Sequence, residues 1–130
     1  MNLDAQRITI VRRLSGAIIP EDQDPGAEQT PVAEMIAAVV ASWPEERAAA
    51  FAGGLDAADL LCQGVFGVSL AAADTAAVAA LAREIASSPL WAELWYGLRA
   101  LVCLNFYALP EGYLPLGLPG PNIDQGGIPL

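Results

Sequence analysis

Apolar residues recur at intervals of three and four along most of this chain, the spacing that brings side chains to one face of an α-helix. Ile8, Val11, Leu14 and Ile18 follow it behind Asp4, whose carboxylate suits an N-cap, and predict a first helix over residues 4–17. That helix stops near Ile19, because Pro20 disfavours helical geometry in the residue before it. An acidic turn, Glu21-Asp22-Gln23-Asp24-Pro25-Gly26, comes next. Thr30-Pro31 reads as a cap followed by a proline in the first turn, with Val32, Met35, Ile36, Val39 and Val40 sharing a face up to Trp43. Pro44-Glu45-Glu46 opens a third helix running to about Gln63, its acids placed at the positive end of the helix dipole. Gly53-Gly54 in its middle costs about 2 kcal/mol relative to two alanines, which predicts a kink or a close approach by another helix.

Residues 64–69 read as a connector. A fourth helix starts at Leu70 or Asp74 and ends near Ala86, with Leu70, Val78, Leu81 and Ile85 inward. Ser88-Pro89 repeats the cap-then-proline signal, and a fifth helix over residues 89–108 carries Leu90, Leu94, Leu98, Leu101, Val102 and Phe106 on one broad stripe. At 1.5 Å per residue this helix spans roughly 30 Å, so it is the expected axis, with the other four around it. Ile8-Thr9-Ile10-Val11 has some strand character, but its flanks read as helix, and no repeat of 20 to 50 residues recurs. The expected fold is all-α: a compact bundle of about five helices over residues 1–108 and an extended Pro/Gly-rich C-terminal tail over residues 109–130. Ten of the tail's 22 residues are proline or glycine, which excludes a regular helix or interior strand. It is too apolar for a solvated linker, so it is expected to dock on the body or on a partner.

Composition adds an interface to this picture. At 130 residues the chain can bury a core without disulfides, and 55% apolar content exceeds what a soluble monomer of this size needs, alanine accounting for part of the excess. The net charge is −9, from 15 acids against six arginines, with no lysine and no histidine, so neither nucleic acid nor an anionic membrane is an expected partner. No apolar run is long enough for a membrane span. The apolar run after Arg12-Arg13 is short of an export signal, and the expected location is cytoplasmic.

Candidate chemistry is sparse. Without histidine or lysine the commonest general base and the Schiff-base nucleophile are missing. Glu45, Glu46, Asp56, Asp59 and Glu84 lie on alanine-rich helices and read as solvated faces. Cys62 and Cys103 read as reduced core residues. Gly117-Leu118-Pro119-Gly120 lacks the strand, helix and lysine of a phosphate loop, and Asp22, Asp24 and Glu28 lack the pattern of a calcium loop. No catalytic, cofactor or metal residue is assigned.

Aromatic residues concentrate instead at the C-terminal end. Residues 88–130 hold two of three tryptophans and all three tyrosines. Trp91, Trp95, Tyr96, Phe106, Tyr107 and Tyr113 cannot all fit one core stripe, and with Leu116, Pro119, Pro121 and Asn122 they form the expected partner interface.

Several short motifs carry a family resemblance across nearly the whole chain. They are Ala17-Ile18-Ile19-Pro20 before the acidic loop and Pro25-Gly26-Ala27, Val32 to Val40, Pro44-Glu45-Glu46-Arg47, Asn105-Phe106-Tyr107-Ala108-Leu109-Pro110, and Leu116-Gly117-Leu118-Pro119-Gly120. In these the chain resembles the small subunit of gluconate 2-dehydrogenase, the subunit 3 family, which accompanies flavin-containing dehydrogenases of the glucose-methanol-choline type. The family's twin-arginine signal and glycine-asparagine motif are absent in their usual form, Pro121-Asn122 being a loose echo. The resemblance implies a non-catalytic small subunit that binds and stabilises a larger FAD-dependent dehydrogenase or oxidase acting on sugars or alcohols, within a higher hetero-oligomer, with the FAD on the partner. The residues alone also admit a self-associating helical structural protein, or a small helical ligand-binding protein or enzyme.

Overall fold

The computed structural model describes residues 1–117; the expected interface positions Pro119, Pro121 and Asn122 lie outside them. The fold is all-α. Helices α1 (Ala5–Ile18), α2 (Val32–Ala41), α3 (Glu45–Phe66), α4 (Thr75–Ser87) and α5 (Ala92–Phe106) form the bundle, and a four-residue helix, α6 (Pro110–Tyr113), follows. Three 3₁₀ turns punctuate them at Ala27–Gln29, Pro89–Trp91 and Leu114–Leu116. Local signals set most boundaries. Asp4 caps α1 by accepting from the Arg7 amide at 2.9 Å, and Asp74 caps α4 by accepting from the Ala77 amide at 2.8 Å. Gly67, at φ 73°, ends α3 in the left-handed conformation. Thr30 is a weaker cap than its sequence context suggests: its hydroxyl donates to Ala27 O at 2.7 Å and lies 3.4 Å from the Val32 amide, so α2 starts after Pro31.

The axis of the bundle is α1 rather than α5. Helix α1 packs against α2, α3, α4 and α5, and from Arg7 to Ile18 none of its residues is exposed. Ile10, Val11, Leu14 and Ser15 are fully buried, and the Ser15 hydroxyl donates to Val11 O at 2.6 Å. The three arginines that resemble a solvated face are arms to the neighbours. Arg7 holds Asp56 of α3 in a two-pronged pair, Nε to Oδ1 at 3.1 Å and Nη2 to Oδ2 at 2.8 Å. Arg12 pairs with Glu34 of α2, and Arg13 reaches Glu28 of the first 3₁₀ turn at 2.9 Å. A helix with neighbours on several sides brings its charges to the rims of those contacts, where these partly exposed pairs match them.

Arg13 also links to a small buried polar knot. Its Nε donates to Leu70 O at 3.2 Å and its Nη2 to Ala73 O, while the Asp59 carboxylate accepts from the Leu70 amide at 2.8 Å and from Gln63 Nε2 at 3.0 Å. Asp59, expected on a solvated face, is buried because it must meet that amide. Both polar groups of Leu70 are thus satisfied by side chains from other elements, which lets its side chain enter the core from the loop between α3 and α4.

The fifth helix differs from its expected form. Pro89–Trp91 is a 3₁₀ turn, and the α-helix proper is 15 residues long. Three residues per turn instead of 3.6 shifts the phase, so Leu90 leaves the inward stripe and is 94% exposed. Leu98, Val102 and Phe106 are buried, and Leu94 and Leu101 pack at the edge of the core. At Gly53-Gly54 the helix is not interrupted: α3 runs from Glu45 through the expected connector residues 64–66. The other expectation holds at Gly54, where an added Cβ would stand 2.9 Å from Leu94 Cδ1 of α5.

Candidate partner-binding face

The expected interface aromatics separate into two groups. Phe106 is buried, Trp91 and Trp95 are half-buried against the core, and Tyr113 is half-buried in α6. Phe106 belongs to the core because it continues the line Leu98, Val102 one turn further on. It is therefore no part of an open surface. Tyr96, Tyr107 and Leu116 are exposed. Tyr107 leans edge-on against Phe106, ring centroids 5.3 Å apart, which fixes its ring at the rim of the core.

Tyr96 and Tyr107 belong to a longer apolar surface. Tyr96, 63% exposed, Gly97, Ala100, Leu104, 74% exposed, and Tyr107 occupy the outward side of α5, with Glu93 at its head and Arg99 at its flank. The outer face of α3 has the same character. Between Ala49 and Phe66 its exposed residues are Ala49, Ala50, Gly53, Ala57, Leu60, Gln63, Gly64, Val65 and Phe66, and Gln63 alone among them is polar. In a chain of net charge −9, two exposed helix faces almost free of charge mark a surface meant to be covered.

These faces also hold glycine where no contact among the described residues calls for it. A Cβ built on Gly53, Gly64 or Gly97 meets no atom of the described residues within 4 Å. An interior helical glycine costs about 1 kcal/mol relative to alanine. Leu60, Gly97, Ala100 and Leu104 were missed by reading the chain because one outward stripe of small residues looks like inert alanine-rich helix. The signal was present in α3, whose apolar residues are too many for a single buried face.

Asp56 is held by Arg7, whose hydrogen bond keeps its carboxyl below the ordinary value against a partial loss of solvation. Burial pushes the Cys62 thiol up, the Asp59 charge adding to it. Cys103 is half-buried rather than deep in the core, and both cysteines are free. Among the described residues no group of three or more acids and cysteines gathers as a metal site, and no helix is long and apolar enough to cross a membrane. Asp24, Pro25, Pro110, Glu111, Leu114 and Pro115 line an open groove where α6 passes the acidic loop.

No curated protein and no solved structure matches the chain. The family model of gluconate 2-dehydrogenase subunit 3 matches residues 5–120, a span that takes in every helix described above. The chain therefore belongs to the gluconate 2-dehydrogenase subunit 3 family, whose members are accessory subunits of a dehydrogenase complex.

Proposed function

We propose that this chain is the non-catalytic small subunit of a two-component or larger oxidoreductase, binding and stabilising a large FAD-dependent subunit that acts on sugars or alcohols. The observation that carries the reading is the outward side of α5, where Tyr96, Ala100, Leu104 and Tyr107 present a continuous apolar stripe to solvent. Large aromatic and aliphatic side chains on an otherwise small, uncharged surface are the residue types that anchor stable interfaces. The flavin and the groups that move protons and hydride belong, in this reading, to the partner. The chain contributes surface and order, and stabilises the partner by mass action on its folded state. A cytoplasmic complex is part of the same proposal, resting on the short apolar run between Arg13 and Pro20.

Coexpression with the reading frames adjacent to its own tests this. Purification through a tag on this chain is expected to bring down a large subunit with flavin absorbance, and recovery of the chain alone or as a homo-oligomer contradicts it.

A further inference from the structure

We draw no further inference here: the strongest candidate, the exposed apolar surface of Leu60, Val65, Phe66 and Val68 at and just beyond the C-terminal end of α3, carries none because nothing among the described residues shows what covers it.

Discussion

Leu94 of α5 lies over Gly54 of α3 so closely that a methyl group on the glycine would stand 2.9 Å from its Cδ1, while the adjacent Gly53 faces open space. Two neighbouring glycines thus have opposite reasons to exist. One admits a helix of the same chain, and the other leaves room on the outside.

Gly53→Ala should therefore stabilise the isolated protein, by about 1 kcal/mol of helix propensity. For a domain of this size that raises the midpoint of thermal unfolding by roughly 3–6 °C. Gly54→Leu should do the reverse, forcing Leu94 off its seat at a cost of about 2 kcal/mol or more. Calorimetry of the two variants checks both signs; equal effects would mean that α5 does not rest on α3 at Gly54.

The Leu70 knot is the second target. Asp59→Ala strands a buried amide and should cost about 2–3 kcal/mol. Arg13→Met removes the donor to Leu70 O, Ala73 O and Glu28 and should also destabilise. Since both side chains hold the same residue, their effects should not add: a double-mutant cycle in urea is expected to show coupling of about 0.5 kcal/mol or more. Strict additivity would separate the two.

Acid titration tests the tie between α1 and α3. Asp56 has a lower pKa folded than unfolded, so the Arg7 pair contributes fully above the ordinary carboxylate value of 3.8 and its contribution is lost as pH falls below that through the folded value. Asp56→Asn should thus be less stable than the parent near neutral pH, with the difference shrinking below that value. High salt should reduce the gap, because both groups are partly exposed. A gap that widens in acid would contradict the pairing.

Thiol labelling separates the cysteines. Cys62 is buried with its thiol pKa raised, so a disulfide reagent should reach it only on unfolding, whereas half-buried Cys103 should react in the native protein. One fast and one slow equivalent are expected; two slow equivalents would place Cys103 in the core.

The five bundle helices, though not the short α6 in the tail, were legible in the chain because capping acids and prolines are local signals: the Asp4 and Asp74 carboxylates accept from amides in the turn they open, and Pro20 and Pro44 restrict the backbone beside them. The axis was not legible. Arg7, Arg12 and Arg13 look like a wet face until their partners 15 to 49 positions away are known, and such pairing has no local trace. Asp59 misled for the same reason, its partner being a loop amide 11 residues on. Leu90 was misassigned because Pro89 opens a 3₁₀ turn, which changes the phase of everything before Ala92. At the candidate interface, aromatic content found Tyr96 and Tyr107 but also swept in Phe106, since residue type alone cannot separate an anchor from a core ring.

The most direct measurement is the mass and absorbance of the coexpressed complex by light scattering after gel filtration, for the parent and for Leu104→Glu. Leu104 is 74% exposed, so the substitution should leave the isolated chain within about 0.5 kcal/mol of the parent. The parent should elute as one species containing this chain, a large subunit and flavin, and Leu104→Glu should elute apart from it. A flavin-bearing complex that forms equally well with glutamate at this position, or a parent that elutes without any larger subunit, would contradict the assignment of the α5 face as the partner-binding surface.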